Sequence, residues 1–524
     1  MEKPAHRGEP RFDFTQVGNQ EDLEEQMKYI SSASSARTIH WPQSYERSMD
    51  LYSRSPPSVT GSSLLLPSEE KLQSHRVPKR NVSDVKLPLL DDRGFEWSRE
   101  EPYEGASEVY EPQPEFQSQY VQDGDDKLQM GRSSLIQAIM NGVNVLAGVG
   151  VLSMPYAVSQ GGWIGLCSLL IFASVFCYTG FLLRRCLDLS PYLAGYPDVG
   201  QAAFGRLGRV LVSAFLYCEL YAVAVEFLIM EGDNLTQLFP LRSLSLGIFE
   251  LSSEKQFVIF SAAVMLPTVW LRDLSILSYI SAGGVIACVA VIVAVACAGT
   301  FEVGFPNHGR LVNFHGLPIA VGIYGFCFCG HAVFPNIYAS MKDKSRFSHV
   351  LVACFLICAL IYGSIAVLGF LMFGDDSESQ VTLNLTRGRL TTNIAIAATL
   401  VNPFSKYALT VTPLAAAFEE LLPIELKSRT FLMWGTLIRT LIVLSTVIIA
   451  LVLPFFGYLM ALVGAFLSIT VAITIPCLCY AKLFSDRIPL WERAFISLVL
   501  AVGLGACVAG TYSSLREIAL NLST

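Results

Sequence analysis

The sequence lacks the features of a secreted, a disulfide-bonded or a nucleic-acid-binding protein. The first residues, Met1 to Gly8, are not followed by an apolar segment, so we expect no signal peptide. All 13 cysteines lie at or beyond Cys167, in or beside apolar segments. This distribution favours buried thiols over a disulfide framework. No basic patch points to a nucleic acid partner.

Charge is unevenly distributed along the chain. The first 130 residues hold 24 Asp and Glu against 15 Lys and Arg, whereas the residues from 131 onward hold 20 against 22. Residues 1–130 are also rich in Ser, Pro, Glu and Gln and have no sustained apolar period. We therefore expect them to form a disordered acidic tail in the cytosol. Asp84, Leu89 and Leu90 approximate an acidic dileucine sorting signal, with the acidic residue one position too far upstream.

Most of the remaining chain is apolar. Hydrophobic residues make up 52% of the sequence, and its mean hydropathy is +0.47. A membrane-crossing helix needs about 20 predominantly apolar residues, and on this basis we predict an all-α membrane domain of eleven transmembrane helices at 131–515. The fourth span is short, and Asn402, Pro403, Ser405 and Lys406 interrupt the eighth. The predicted spans lie near 133–158, 160–183, 207–231, 256–270, 275–299, 316–340, 347–373, 391–413, 430–452, 455–480 and 490–511.

The charges of the predicted loops indicate on which side the tail lies. With the tail inside, the cytosolic loops hold 13 basic residues and the loops on the other side hold 6, as the positive-inside rule requires. Three glycosylation sequons, at Asn234, Asn384 and Asn521, also fall on the non-cytosolic side, whereas a fourth, at Asn81, falls in the tail. We therefore expect a cytosolic N-terminus, with the first three asparagines as candidate glycosylation sites.

Two of the predicted spans are interrupted in the same way. The first contains Gly148, Gly150 and Pro155, and the sixth repeats the spacing Gly-x4-Pro at Gly330 and Pro335. A broken helix in hydrocarbon leaves backbone N–H and C=O groups without partners, which is energetically costly. Such a break persists where protein or a wet cavity satisfies these groups, and a binding site does this.

The two interrupted spans begin two units of five spans each. Spans one to five form the first unit and spans six to ten the second. Because five is odd, the second unit enters the membrane from the opposite face. Broken helices at corresponding places in two inverted halves are typical of secondary transporters. We therefore predict a 5+5 inverted repeat with broken helices 1 and 6.

Four segments resemble a known family. Residues 141–157 and 160–165 are similar to the first span and the following turn of the amino acid/auxin permease family. Residues 330–338 and 402–408 resemble the plant vacuolar amino acid transporter group within that family. This group is related to the vesicular inhibitory amino acid transporter. The resemblance covers about 131–515. It implies a fold of the leucine-transporter type and amino acid movement coupled to protons.

The function that the resemblance implies is proton-coupled secondary active transport of amino acids by alternating access. The expected location is an endomembrane, the vacuolar membrane first, and the expected partners are the amino acid, protons and the lipid bilayer. Two alternatives stay open: a plasma-membrane amino acid permease, and an amino acid sensor that signals through the N-terminal tail. The sequence contains no recognisable nucleophile–base pair or metal constellation, so we expect no enzyme, no catalytic residue and no cofactor.

The interrupted segments supply the candidate substrate site. Helix N-termini bind carboxylates through their N–H groups and the positive end of the dipole. Glycine lets a ligand approach the backbone, and carbonyl groups at a half-helix C-terminus suit an ammonium group. The alternative is that these glycines are close helix–helix contacts. The candidate residues are Asn144, Ala147, Gly148, Val149, Gly150, Phe326, Phe328, Gly330 and His331.

Cys327, Cys329 and His331, at the second break, also invite interpretation as a metal site. Such a site needs a full set of ligands, and no other His or Cys cluster is evident nearby in the sequence, so we expect no metal. His331 is then either a hydrogen-bonded structural residue or a polar site residue that carries protons.

Four ionisable residues in predicted spans are candidates for proton coupling, namely Glu219, His331, Lys406 and Arg439. Charges inside a membrane are costly and for that reason are often functional. A carboxyl group withdrawn from water can bind and release a proton near neutral pH. Glu219 lies seven residues from Glu226, near the same helix face, and Arg439 could pair with either glutamate. The alternative for each glutamate is a structural ion pair.

Lys406 is a candidate because of the resemblance. In leucine-transporter-type folds the eighth helix packs against the broken first helix at an ion site. The ammonium group of Lys406 could replace the sodium ion there and make coupling proton-dependent. The alternative is that Lys406 extends to the membrane interface.

Overall fold

The computed structural model describes most of residues 133–523. Inside this range it leaves out residues 191–192, 194, 247–248, 272–282, 307–308 and 423–428. The predicted tail lies outside the described residues, and so do the sequon at Asn81 and the predicted sorting signal at Asp84, Leu89 and Leu90.

The described chain is built almost entirely from helices. Helices suit long apolar segments because each backbone N–H and C=O group finds its partner within the same segment. The α-helices are α1 (Leu135–Leu146), α2 (Met154–Gly161), α3 (Ile164–Leu187), α4 (Tyr196–Leu238), α5 (Ser253–Trp270), α6 (Gly284–Ala298), α7 (Leu317–Phe328), α8 (Phe334–Ser340), α9 (Phe347–Phe373), α10 (Val381–Asn384), α11 (Leu390–Glu419), α12 (Arg429–Val452), α13 (Phe456–Val463), α14 (Ile475–Leu483) and α15 (Leu490–Ser523).

Short helical segments of other types extend or join these helices. The 3₁₀ segments are Val149–Ser153, Lys344–Arg346 and Gly374–Asp376. The π-helical segments are Gly299–Val303, Gly464–Ser468 and Thr470–Thr474.

A β-hairpin lies between α4 and α5. Its strands, β1 (Leu244–Leu246) and β2 (Phe249–Leu251), pair antiparallel with Leu244 opposite Leu251. The described chain is mostly helical, as predicted, and this hairpin is a local addition at one connection. A strand of three residues is too short to give a recognisable alternating pattern in the sequence.

Eight helices of the described chain are long and apolar enough to cross a membrane, or nine when α1 and the bent segment after it count as one span. Helical segments lie at all eleven predicted positions. However, α5 and the α7–α8 pair fall outside this count, since α7 is only 12 residues long and α5 begins with charged residues. The protein is a multi-pass membrane protein, and the number eleven stays a prediction.

Two predicted spans have different bounds in the structure. α4 is longer than predicted, with 43 residues, and a kink at Gly205 (φ 66°, ψ −154°) changes its direction near its start. α11 continues through Asn402 and Pro403, so the predicted interruption of the eighth span is wrong. A proline removes one N–H donor, and the remaining bonds within the segment hold the helix together in hydrocarbon.

The segment Phe456–Leu483 is central in the bundle, whereas α15 is peripheral. Of their apolar stretches, 61% is buried in the former and 22% in α15. Glycine allows the close crossing at the centre, because a Cβ at Gly464 would lie 1.9 Å from the carbonyl oxygen of Gly322 in α7. Small residues bring helix backbones into contact in this way inside membranes.

Backbone hydrogen bonds join the beginning of α1 to the end of α8. Ser133 and Met341 form a parallel bridge. The N–H of Ser133 donates to the carbonyl oxygen of Ser340 at 2.9 Å, and the N–H of Lys342 donates to that of Ser133 at 3.1 Å. The residues on either side of Met341 therefore hold the residue that leads into α1.

A second set of backbone bonds joins the other ends of the same helices. After α2, the N–H groups of Trp163 and Ile164 donate to the carbonyl oxygens of Arg310 and Leu311, each at 3.1 Å. Arg310 and Leu311 precede α7. The α1–α2 segment therefore lies beside the α7–α8 segment and runs in the opposite direction.

Candidate functional site

The first break separates α1 from the segment that follows it. α1 ends at Leu146, and Ala147 (φ −72°, ψ 68°) and Gly148 (φ −101°, ψ −140°) leave the helical conformation. The chain resumes as a helix at Val149, with its axis bent by 52°. The predicted break in the first span is therefore confirmed, and it lies at Ala147 and Gly148.

Side chains of two other helices bind the carbonyl groups at the end of α1. Nζ of Lys406, in α11, donates to the carbonyl oxygen of Asn144 at 2.7 Å. Sγ of Cys288, in α6, donates to that of Ala147 at 3.2 Å. Lys406 thus lies against the broken first helix, where the resemblance placed it. The positive charge next to the carbonyl oxygen of Asn144 is therefore supplied by a side chain of the protein.

The second break is closed by a local turn. α7 ends at Phe328, and Cys329 (φ −77°, ψ 108°) leaves the helix. The carbonyl oxygen of Gly330 accepts hydrogen bonds from the N–H groups of Val333 and Phe334, at 3.0 and 3.1 Å. α8 begins at Phe334. Both breaks therefore have a local backbone bond, since at the first break the N–H of Val151 donates to the carbonyl oxygen of Gly148 at 3.4 Å. At the first break, two further carbonyl groups are bound by side chains of α6 and α11.

The two breaks are in contact with each other. A Cβ on Gly150 would lie 2.2 Å from Sγ of Cys327, and a Cβ on Gly330 would lie 2.9 Å from Cδ2 of Leu146. Oη of Tyr362, in α9, donates to the carbonyl oxygen of Leu146 at 2.5 Å and lies 3.0 Å from that of Cys327. One tyrosine hydroxyl therefore connects the carbonyl ends of both half-helices.

A small cavity lies beside the first break. Its volume is about 10 Å³, taken as the space open to the centre of a water molecule, and one water needs about this much. A ligand much larger than a water molecule fits there only when the walls separate. The lining residues belong to the first break, α4, α6 and α11, and are Gly148, Val149, Val151, Leu152, Met230, Cys288, Val291, Thr399 and Asn402.

The predicted glycines of the first break have different surroundings. Gly148 and its neighbour Val149 line the cavity. Among the described residues, the atoms nearest to a Cβ on Gly148 are backbone oxygens at 3.9 Å, so a ligand has room to approach the backbone there. Gly150 packs against Cys327. The close-contact alternative therefore describes Gly150, and room for a ligand is found at Gly148.

The predicted phenylalanines of the second break pack against the core. The ring of Phe328 is fully buried and contacts Tyr362 and Phe355 of α9, with centroid distances of 5.2 and 6.0 Å. Phe326 is partly buried against the same core. Phe328 therefore faces α9, whereas the cavity walls come from α4, α6, α11 and the first break.

His331 is buried between aromatic rings. Its Nε2 lies 3.1 Å from Oγ1 of Thr179 in α3. The rings of Phe176 and Phe334 lie 5.9 and 5.0 Å from the imidazole, between centroids. These contacts favour the interpretation of His331 as a hydrogen-bonded structural residue. In the part of the chain that the structure describes, no three His, Cys, Asp or Glu residues group as metal ligands.

Glu219 of α4 lies close to the second break. Its Oε1 accepts a hydrogen bond of 2.6 Å from Oγ of Ser468, which belongs to the π-helical segment Gly464–Ser468. The carbonyl oxygen of Ser468 is 3.8 Å from Sγ of Cys329, the first residue of the break. Only 8% of Glu219 is exposed. This carboxyl group therefore belongs to a buried polar cluster that includes the break.

Arg439 pairs with a different glutamate from those predicted. Its Nε forms a buried salt bridge of 2.8 Å with Oε1 of Glu419, and its Nη1 donates to the carbonyl oxygen of Val269 at 2.7 Å. The prediction that Arg439 pairs with Glu219 or Glu226 is wrong. Glu419 is the last residue of α11, and the pairing depends on how α5, α11 and α12 pack, which the linear sequence does not reveal.

One of the predicted glycosylation sites is inaccessible. Asn234 is fully buried, its Nδ2 donates to the carbonyl oxygen of Met230 at 2.9 Å, and its Oδ1 accepts from Oγ1 of Thr382 at 2.7 Å. A glycan cannot be accommodated there, so the prediction at Asn234 is wrong. Asn384, which is half-buried, and Asn521, which is exposed, stay predictions.

The profile of the transmembrane amino acid transporter family matches residues 131–516. This chain belongs to the transmembrane amino acid transporter family. The match spans both breaks and the cavity between α4, α6 and α11. The family is one of transporters, which confirms the prediction that the chain is not an enzyme.

Relatives in Arabidopsis thaliana are similar to this family member over most of its length. Amino acid transporter AVT1B is 41% identical over 99% of this chain and 96% of its own length. Amino acid transporter AVT1C is 42% identical over 93% and 91%, and amino acid transporter AVT1J is 44% identical over 75% and 93%. The resemblance inferred from the sequence segments is confirmed.

Two solved structures align with this member of the transporter family. The crystal structure of MhsT in complex with L-phenylalanine has a TM-score of 0.44 and 12% identity, over 74% of this chain and 100% of that chain. A sodium-coupled sialic acid symporter in a substrate-bound outward-open state has a TM-score of 0.40 and 10% identity, over 74% and 91%.

Several residues at the candidate site of this transporter family member were not predicted from the sequence. Met230, Thr399 and Cys288 line the cavity, and Tyr362 connects the two breaks. A signal existed for Thr399, because it lies three residues before the polar Asn402 on the same predicted span. Tyr362 gave no such signal, since a single tyrosine in an apolar helix is common.

Proposed function

We propose that this protein is a proton-coupled secondary active transporter of amino acids that works by alternating access across an endomembrane, the vacuolar membrane. One observation carries the proposal: two broken helices contact each other beside a small cavity, and side chains from α6, α9 and α11 hold the broken ends. Membership of the transmembrane amino acid transporter family supports amino acids as the substrate.

The proposed architecture has eleven crossings and two inverted five-span units. The opposite directions of α1–α2 and α7–α8 support it, because broken first members of inverted repeats run in opposite directions. In such a fold the two units move against each other around a fixed site. The cavity, now about the size of one water, would open on one side of the membrane at a time.

The substrate would bind across the first break. Its carboxylate would approach Gly148 and the N–H groups at the start of the segment Val149–Ser153, where the helix dipole is positive. Its ammonium group would meet the polar side chains of α11. Oδ1 of Asn402 lines the cavity and has no hydrogen-bond partner among the described residues.

Coupling to protons would depend on Lys406 and Glu219. Lys406 places a positive charge on the carbonyl end of α1, at the place where the resemblance to leucine-transporter-type folds implies an ion site. Glu219 is a buried carboxyl group with a hydroxyl partner, next to the second break. A proton shifts a conformational equilibrium only through different interactions in the two states. The interactions of a carboxyl group next to the break would differ between the two states, because the break moves.

Uptake into proteoliposomes tests the proposal. Purified protein is reconstituted, a pH gradient is imposed, and accumulation is measured for a panel of labelled amino acids, with a protonophore and protein-free liposomes as controls. We expect accumulation that disappears with the gradient. Binding without flux would instead identify a sensor, and flux that ignores the gradient would remove proton coupling.

Glu219→Gln tests the coupling residue in the same assay. The substitution keeps the volume of the side chain and removes its titration. We expect amino acid exchange to persist and accumulation driven by the pH gradient to be lost. Normal accumulation by Glu219→Gln would show that the Glu219–Ser468 contact is structural.

The proposed location is tested with a fluorescent fusion in plant cells. We expect the wild-type protein at the vacuolar membrane. If the segment around Asp84 is a sorting signal, changing Leu89 and Leu90 to alanine should redirect the fusion toward the cell surface. Wild-type protein at the plasma membrane would favour the permease alternative.

A further inference from the structure

One face of α4 holds three acidic residues at regular spacing. Glu219, Glu226 and Asp233 are seven residues apart, which places them on the same side of an α-helix. At 1.5 Å per residue, the first and last are about 21 Å apart along the axis. This distance is about two thirds of the thickness of a bilayer's hydrocarbon core, about 30 Å.

Glu226, the middle member, is buried without a hydrogen-bond partner. None of its surface is exposed, and neither of its carboxyl oxygens has a partner among the described residues. The titratable groups that face it are Cys327 of α7 and Glu219 of its own helix. An isolated carboxyl group in an apolar interior is expensive, and inside a membrane such a group is a candidate for a pathway of ions or protons, which its position must then support.

Glu219, at one end of this face, connects to the second break. It bonds to Ser468 of a π-helical segment, and Cys329 faces it from the end of α7. π-Helical turns within α-helices are frequent at functional sites.

Asp233, at the other end, connects to a polar cluster. Its Oδ2 accepts a hydrogen bond of 2.8 Å from Nε2 of Gln380. Gln380 also accepts from Nδ2 of Asn234, and Glu254 of α5 and Glu378 are the charged groups that face Asp233.

The cavity touches α4 at a residue that lies between Glu226 and Asp233 in the sequence. Met230 lines the cavity and comes one turn after Glu226 and three residues before Asp233. Adjacent acids on this face are about 10 Å apart along the helix, so a proton needs a carrier between them. The cavity has room for about one water, and Thr399 and Asn402 provide polar groups in its wall.

We propose that Glu226 and Asp233 form a proton path along α4 that leads toward Glu219 at the second break, with a water molecule in the cavity as the link between Glu226 and Asp233. In this step one carboxylic acid releases a proton to the water and is left as a carboxylate, and the water gives a proton to the other carboxylate. The proposal rests on the proposed function and adds two residues to it.

Glu231 offers a matched control on the same helix. Like Glu226 it is fully buried, and its carboxyl oxygens have no partner in the described part of the chain. It lies five residues away and so points about 140° round the helix from Glu226. Glu226→Gln and Glu231→Gln therefore make the same chemical change on the same helix, and only the first lies on the proposed path.

The experiment compares these variants with the wild type in proteoliposomes, by accumulation under a pH gradient and by exchange without one. For Glu226→Gln we expect accumulation to fall at least about tenfold, the effect of about 1.4 kcal/mol, and exchange to change little. Glu231→Gln should accumulate as the wild type does. Accumulation by Glu226→Gln at the wild-type level, or equal losses in both variants, would overturn the path.

The outcomes separate this proposal from the proposed function. If accumulation by the wild-type protein does not depend on the pH gradient, proton coupling itself is contradicted. If accumulation by both the wild type and Glu226→Gln depends on the gradient, only the path is contradicted. If Glu226→Gln does not fold, as judged by size-exclusion chromatography, Asp233→Asn and Asp233→Glu test the other end. The amide should lose gradient-driven accumulation and the longer acid should keep most of it. Equal accumulation by both would overturn the path.

Discussion

The first break lies beside a cavity, whereas the second is closed by its own turn and by packed side chains. At the first break the carbonyl groups of Asn144 and Ala147 accept bonds from Lys406 and Cys288, which belong to distant parts of the chain. At the second break the carbonyl of Gly330 accepts bonds from residues three and four positions later, and the hydroxyl of Tyr362 lies 3.0 Å from the carbonyl oxygen of Cys327.

The glycine of the Gly-x4-Pro spacing is packed at both breaks, Gly150 against Cys327 and Gly330 against Phe334 and Leu146. The open space at the first break lies two residues earlier, beside Gly148, where the second span has the buried Phe328 at the corresponding position. At the second break His331 contacts Thr179. We therefore expect a ligand at the first break, beside Gly148, and not at the second. Three sets of substitutions test this division, in order of decreasing expected effect.

Lys406→Met should have the largest effect. It removes the ammonium group that binds the carbonyl oxygen of Asn144 while it retains a long apolar side chain. A hydrogen bond to a charged group contributes about 1.5–3 kcal/mol, so we expect uptake to fall at least about tenfold. Lys344→Met, at an exposed lysine, is the control. Uptake by Lys406→Met at the wild-type rate would show that the first break does not depend on this contact.

Gly150→Ala and Gly148→Ala should act differently although they are two residues apart. A Cβ at position 150 collides with Sγ of Cys327, so Gly150→Ala should destabilise the protein by about 1–3 kcal/mol through overpacking. Gly148→Ala adds a methyl group beside the cavity and should weaken substrate binding with little loss of folded protein. Thermal melting and binding, measured on the same preparations, check both.

A double variant sharpens the prediction for Gly150. Cys327→Ala removes the atom nearest to the added Cβ, so Gly150→Ala combined with Cys327→Ala should regain part of the lost stability. If Gly150→Ala melts like the wild type and fails only in binding, Gly150 is a ligand contact and the division between the two glycines is wrong.

His331→Asn should have the smallest effect on transport. Loss of the contact with Thr179 should cost about 0.5–1.5 kcal/mol of stability, the contribution of one hydrogen bond. The pH dependence of uptake should stay as in the wild type, because the contacts of His331 are structural. Thr179→Val, which removes the other partner, should lower the melting temperature in the same direction. If the pH dependence of uptake shifts in His331→Asn and not in Thr179→Val, His331 is again a candidate for proton coupling.

Local signals in the sequence were sufficient to predict where the chain is helical and where the first span breaks. Each break depends on a glycine, Gly148 or Gly330, and on the apolar residues within a few positions of it. Partners were harder to predict, because Arg439 reaches Glu419 only after three helices have packed. Tyr362, which lies more than 200 residues from Leu146, connects the breaks for the same reason.

The bridge between Ser133 and Met341 has a mechanical consequence. Two backbone hydrogen bonds fasten the start of α1 to the end of α8, so these half-helices cannot separate at that end without breaking both. The two half-helices would move together as one rigid body, and the bending would be concentrated where α1 meets Gly148 and where Gly330 precedes α8. A force applied to the chain just before Ser133 would then act on both of these bends.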